Sequence, residues 1–120
     1  MGSNKHTDPN VPDRFAACVA QTPRATALVF RDRQLTYLEL SECANQLAHH
    51  LQAQGIGPDS LVAICVERSV EMIVGILGIL KAGGAYLPLD PHYPLERLRF
   101  LLDDAQPLLL LTQAHLLPQL

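Results

Sequence analysis

The stretch Leu61-Val62-Ala63-Ile64-Cys65-Val66 is continuously apolar and rich in β-branched residues. A strand with one wet face alternates apolar and polar residues. A run without alternation suits a strand buried on both faces, as in a parallel sheet. Ser69 follows as a good N-cap, and residues 70–82 are apolar nearly all round. That composition predicts a helix sandwiched between other elements rather than one lying on the surface. Gly75 and Gly78 leave it a small-residue face for close packing, and Gly83-Gly84 ends it. Ala85-Tyr86-Leu87 reads as a second short strand.

The flanking sequence extends the same alternation. Helical spacing starts at Pro12, with Phe15 and Val19 on one face, and Thr22-Pro23 stops it because a residue before proline avoids the helical region. Ala27 to Phe30 and Gln34 to Thr36 predict a β-hairpin turning at Asp32-Arg33. Thr36-Tyr37-Leu38-Glu39 is a capping box. Leu40, Ala44, Leu47 and Leu51 follow at helical spacing, and Gly55 with Gly57-Pro58 ends that helix. After Pro88 and Pro91, Pro94 is placed as the first residue of a further helix. Leu95, Leu98, Leu102 and Ala105 form its apolar face, and Pro107 breaks it. Leu108 to Leu111 predicts another buried strand, and residues 113–119 begin a helix. The fold class expected is α/β, a mainly parallel sheet with flanking helices and an N-terminal β-hairpin, with right-handed crossovers. Residues 1–11 are polar and read as a linker or tag-like arm, with Met1-Gly2-Ser3 as an expression remnant; residues 12–120 form the folded unit.

Composition excludes several function classes. Of 120 residues, 48% are hydrophobic and 18% charged, enough apolar material for a core. The net charge of −3, with lysine only at positions 5 and 81, lacks the basic footprint of a nucleic-acid binder. Met72 to Leu80, the most apolar run, is far too short to span a bilayer, and no signal peptide is legible. Cys18, Cys43 and Cys65 are odd in number and lack CxxC spacing. They read as reduced, buried, small hydrophobes of a cytoplasmic protein.

Two stretches carry a family likeness. Leu35-Thr36-Tyr37-Leu38-Glu39-Leu40 resembles the first core motif of nonribosomal peptide synthetase adenylation domains. Leu80-Lys81-Ala82-Gly83-Gly84-Ala85-Tyr86-Leu87-Pro88-Leu89-Asp90-Pro91 resembles the second. Val62 to Ser69 and Tyr93 to Leu98 fit the same pattern, so the resemblance spans about Val11 to Leu120. It implies the N-terminal part of an adenylation domain of the adenylate-forming superfamily, incomplete relative to the family fold. The complete domain would bind an amino acid and Mg-ATP, form an aminoacyl adenylate and pass it to the phosphopantetheine thiol of a carrier protein. The implied partners are the remainder of the domain and neighbouring condensation and carrier domains, without nucleic acid or membrane.

The family's phosphate loop, amino-acid pocket, ribose-binding acid and C-terminal lysine match nothing before Leu120. No residue is therefore assigned a catalytic, cofactor-binding or metal-binding role. Adenylate formation needs cationic or metal stabilisation and N–H groups aimed at phosphates, and the sequence holds neither GxxxxGK[ST] nor GxGxxG. The chain alone is expected to be inactive. Its alternatives are a non-catalytic docking module within a synthetase and one half of a split enzyme.

Other polar residues have plainer readings. His49-His50 with Gln54-Gly55 mimics a condensation-domain motif, but adjacent helical residues diverge by about 100° and cannot act on one substrate. One exposed and one partly packed histidine is the expectation. His6, His92 and His115 show no metal spacing. Glu67-Arg68 follows a strand end, where open α/β sheets bind ligands, yet a surface ion pair or helix cap explains it. Tyr86 and Asp90 read as structural, Asp90 by accepting backbone N–H bonds in a turn. Lys81 suits the helix C-terminus. A sheet stopped this early should leave an edge and an apolar face open, which predicts self-association.

Overall fold

The alternation of apolar positions in the central strand sorts the whole core into two halves. In a computed structural model describing residues 10–113 and Leu116, the chain runs α1 (Asn10–Gln21), β1 (Thr26–Phe30), β2 (Arg33–Thr36), α2 (Tyr37–Ala53), β3 (Leu61–Cys65), α3 (Val70–Lys81), β4 (Ala85–Pro88), α4 (Leu95–Ala105) and β5 (Leu109–Thr112). β3, β4 and β5 form a parallel sheet in the order β4-β3-β5, with Val62 opposite both Tyr86 and Leu109. Because side chains alternate along a strand, Val62 and Ile64 face one way with Tyr86, Leu109 and Leu111, onto α3 and α2. Ala63 and Cys65 face the other way with Leu87 and Leu110, onto Leu98 of α4. Val62 through Cys65 are all buried, as the unbroken apolar run requires.

α3 is the sandwiched helix its composition predicts. Its buried positions include Val70, Leu77 and Ile79, between β3 and α2. The two glycines set the spacing. A Cβ on Gly75 would lie 2.5 Å from Ile64 Cδ1, and one on Gly78 would lie 2.6–3.0 Å from Cδ2, Cγ and Cβ of Leu47. Gly75 thus lets the helix approach the sheet, and Gly78 lets it approach α2. Gly83, at φ +95°, then turns the chain out of the helix in a left-handed conformation that glycine adopts freely. α2 begins with the complete capping box: Glu39 N donates to Thr36 Oγ1 and Thr36 N donates to Glu39 Oε1. The separate antiparallel hairpin β1–β2 packs with α1 beside Leu40, Ala44 and Leu77.

Several local expectations change. α1 starts at Asn10 rather than Pro12; the missing N–H of a proline within the first turn costs nothing there, and Val11 packs inward. The hairpin turns at Arg31-Asp32, because Arg31 takes the left-handed φ of 58° and Arg33 already belongs to β2. Pro94 is the N-cap, not the first helical residue: its ψ is 147°, while its carbonyl accepts from Arg97 N and Leu98 N. Leu95, at the helix start, is exposed, and Leu101 joins Leu98 and Leu102 in the core instead. Leu108 precedes β5 and is exposed, and the residues of β5 are half-buried rather than buried. Cys65 is buried, but Cys18 is half-buried and Cys43 exposed. The buried stripe of α2 runs through Leu40, Ala44, Ala48 and Leu51, which leaves Cys43, His49 and His50 all facing outward. Apart from Gln113 and Leu116, the helix expected over 113–119 lies outside the described residues, as do residues 1–9, His6 and His115.

Candidate functional site

Polar side chains gather where β3 and β4 end. The backbone leaves the apolar run at Val66 and must satisfy its polar groups before α3 starts. Glu67 N donates to Gln113 Oε1 at 2.8 Å, the Ser69 hydroxyl donates to Glu67 O at 2.8 Å, and Met72 N donates to Ser69 Oγ at 3.3 Å. Ser69 therefore caps α3 as expected and ties the preceding turn to it. Beyond β4, Leu89 N continues the ladder to Ile64 O, and Asp90 closes an Asx turn by accepting from His92 N at 2.9 Å.

Together these turns frame a crevice of about 450 Å³ lined by Glu67, Arg68, Met72, Asp90, His92 and Tyr93 among others. His92 lies between two carboxylates, Nδ1 at 3.1 Å from Asp90 Oδ1 and Nε2 at 3.8 Å from Glu67 Oε1. Its side chain is 76% exposed, so these contacts are water-screened and weak. The backbone N–H of His92, followed by its ring, holds the Asp90 carboxyl below the usual carboxylate range. Arg97 stacks its guanidinium on Tyr93, 4.9 Å from the ring centroid.

Under the crevice sits Cys65. Burial first, then the carboxylates of Asp90 and Glu67, pushes its thiol pKa up. A thiol held protonated is a poor nucleophile and ligand, so Cys65 acts as a packing residue. Among the described residues, no group of three His, Cys, Asp or Glu is placed to hold a metal ion.

The structure thus brings Glu67, Arg68 and Asp90 together, joined by His92. Tyr86 stands apart in β4, half-buried against the α3-side core. Lys81 does more than neutralise a helix end: its Nζ lies 5.5 Å from the Phe15 ring centroid and ties α3 to α1. The sequence reading weighs His92 only as a metal ligand and does not single out Gln113. For His92 a signal existed, since Asp-Pro-His is an Asx-turn spacing that returns the third residue to the first. For Gln113 there was none, because its partner lies 46 positions away. The crevice offers two carboxylates, an imidazole and one arginine. That set orders two loops but gives no cradle for a polyphosphate.

The AMP-binding enzyme family matches residues 15–120. Tyrocidine synthase 3 of Brevibacillus parabrevis is 58% identical over 113 residues, covering 94% of this chain and 2% of that protein. Among solved structures, the nonribosomal peptide synthetase FmoA3 superimposes with a TM-score of 0.86 at 38% identity, over 91% of this chain and 12% of that one; its AMPPNP-bound form matches equally well. The N-terminal subdomain of Klebsiella oxytoca NpsA gives 0.80 at 32% identity, over 87% of this chain and 27% of that one. The chain therefore spans only a small part of the length of the relatives it matches. Two core motifs, the β4-β3-β5 sheet with its capping and glycine-packed helices, and a match extending from Phe15 to Leu120 place the chain in the AMP-binding enzyme family, as a stretch from the N-terminal part of a nonribosomal peptide synthetase adenylation domain.

Proposed function

We propose that the chain is the scaffold-forming part of an adenylation domain whose complete form activates an amino acid with Mg-ATP and loads it onto a carrier-protein phosphopantetheine. On this reading no residue between Met1 and Leu120 carries out a chemical step, and the chain alone is inactive. ATP and magnesium would be held by the remainder of the domain. Condensation and carrier domains would be its neighbours, and the cytoplasm its compartment. Neither nucleic acid nor membrane takes part; among the described residues no helix is long and apolar enough to cross a bilayer.

The observation that carries the reading is the likeness at 58% identity to a peptide synthetase across 94% of the chain. Its chemistry is consistent. Transfer to an α-phosphate requires preorganised donors and positive charge. The crevice at the strand ends sets Glu67 and Asp90 against a single arginine, Arg68, and the His92 imidazole. Those carboxylates would repel a nucleotide.

Amino-acid-dependent exchange of labelled pyrophosphate into ATP tests the proposal. The chain alone should give none. Mixed with the polypeptide that follows the matched stretch in the adenylation domain of tyrocidine synthase 3, it should restore exchange for some amino acid. Exchange by the chain alone would overturn the scaffold reading.

A further inference from the structure

The first helix is held more loosely than the others. From Val11 to Gln21 no residue of α1 is buried, whereas α2 buries Leu40 and Leu51, α3 buries Leu77 and Ile79, and α4 buries Leu98. Val11, Phe15, Cys18 and Val19 are half-buried at helical spacing and form one stripe. Val11 and Phe15 pack on the cluster of Leu40, Ala44 and Leu77. The Phe15 ring lies 6.0 Å from that of Tyr37, tilted at 47°, and Lys81 Nζ stands 5.5 Å from its centroid. Among the described residues no hydrogen bond or ion pair runs from α1 to α2 or α3.

The loop after α1 is fastened by other means. Pro23 O accepts from Leu38 N at 2.9 Å, and Ala25 O accepts from Tyr37 N at 3.0 Å. Two of the N–H groups that a helix leaves unpaired at its start are thereby satisfied. Ala25 N donates to Thr22 O at 3.1 Å and closes the turn. Pro23 cannot continue the helix and biases Thr22 out of the helical region. Rotation about Thr22 swings α1 while all three bonds stay made. With 12 residues, α1 sits at the length where isolated helices are marginal in water, about 12–15. Once undocked, it unravels.

We propose that α1 is a strap that opens as a unit about Thr22 while the sheet, α2, α3 and α4 stay folded, and that Phe15 is its latch. Closed, Val11 and Phe15 cover the apolar surface around Leu40, Ala44 and Leu77. Open, that surface meets water. Opening gives up only half-buried contacts, so it costs far less than exposing Val62 to Cys65, which are buried. The device lets the chain ahead of Asn10 move without pulling on the sheet, because the swing is taken up at Thr22 and the pinned loop stays in place.

Amide hydrogen exchange of the purified chain tests the proposal. Relative to their intrinsic rates, Phe15 to Gln21 should be protected, yet exchange at least about a hundredfold faster than Val62 to Cys65. Urea below the unfolding transition should speed Val62 to Cys65 and barely move Phe15 to Gln21, because a small opening exposes little surface. Leu102→Ala, in the α4-side cluster, should speed Val62 to Cys65 about tenfold and leave Phe15 to Gln21 within about twofold. Phe15→Ala removes the latch and should speed α1 exchange about tenfold. Lys81→Gln removes only the cation over the ring and should speed it about threefold.

Three results would overturn it. If urea or Leu102→Ala accelerated α1 and β3 equally, α1 would open only with the whole fold. If the α1 amides had no protection, there would be no closed state to open. If Phe15→Ala left α1 exchange unmoved, the latch would lie elsewhere. The urea series needs no substitution, so the first of these is decided on the parent chain.

Discussion

The two faces of the sheet are built differently. On one, Val62 and Ile64 are covered by α3, and α2 covers α3 in turn, so the layer is two helices deep. On the other, Ala63 and Cys65 are covered by α4 and its preceding loop. Of the eleven residues of α4, Leu98 alone is buried, and Leu95 and Phe100 are exposed. The deep face relies on glycine contacts that allow helices to approach closely. The thin face relies on one leucine and a proline-framed loop. Depth of cover, more than the number of apolar residues, should therefore set how much each face stabilises the fold.

Cutting the same volume from each face should affect stability unequally. Ile79→Ala on the deep face, at a residue with no exposure, should destabilise by about 3–5 kcal/mol because its neighbours cannot collapse into the cavity. Leu102→Ala, at a half-buried residue on the inner side of α4, should cost about 1–2 kcal/mol, since water already reaches it. Urea unfolding followed by circular dichroism measures both. Equal losses would mean that the thin face is as tightly packed as the deep one.

Adding volume to α3 asks the question from the other direction. Gly78→Ala forces a methyl onto the Cβ and Cγ of Leu47, which sit close to the α2 backbone and cannot swing away. Overpacking of this kind costs about 1–3 kcal/mol, partly offset by alanine's better helix propensity. Gly75→Ala meets the flexible Cδ1 end of Ile64 and should fall within about 1 kcal/mol of the parent. Reversal of that order would show that α3 is seated on the sheet more rigidly than on α2.

Much of this was legible in the sequence because its signals were local. The capping box at Thr36 and Glu39 needs only a four-residue window. The apolar run of β3 and the uniformly apolar α3 announce burial without any knowledge of partners. Where the sequence misled, long-range contact decided. Cys43 looks like Cys65 by composition, yet it falls beside the α2 stripe rather than on it. Leu108 reads as the start of a strand, but β5 begins at Leu109; Leu108 only donates its N–H to Leu61 O and leaves its side chain exposed. The crevice was half visible: Glu67-Arg68 followed from strand position and Asp90 from turn chemistry. The bonds from Gln113 to Glu67 and from Thr112 to Cys65 O cross some forty-six positions, and no spacing rule reaches that far.

Thiol reactivity separates Cys43 from Cys65 without a mutation. A disulfide reagent added to the native chain should modify the exposed Cys43 in the fast phase. Cys65, buried and held protonated, should react more slowly by about a hundredfold or more, through opening of the thin face. Leu102→Ala should accelerate the Cys65 phase far more than Gly75→Ala does, because Cys65 shares its cluster with Leu102. Equal acceleration by both would place its exposure in global unfolding instead.

The smallest expected effect lies at the rim of the deep face, where Arg33 of the hairpin meets Glu71 in the first turn of α3, Nη1 to Oε2 at 3.0 Å. The Glu71 carboxyl is held below its ordinary value, first by a backbone N–H of its own helix start and next by Arg33. A depressed carboxylate stabilises the fold above its unfolded pKa, and that contribution disappears as pH falls through the lower folded value. Both side chains are 53% exposed, so solvent limits the contribution to a few tenths of a kcal/mol, about 0.5 at most. Glu71→Gln should therefore lower the urea midpoint slightly near pH 7. The two proteins should converge as the medium is acidified below the carboxylate range. In about 1 M salt the gap at pH 7 should narrow by the part that Arg33 supplies, while the part from the helix start persists through its hydrogen bond. A gap that survived full protonation would assign Glu71 a packing role, and the hairpin would then be fastened to α3 by contact rather than by charge.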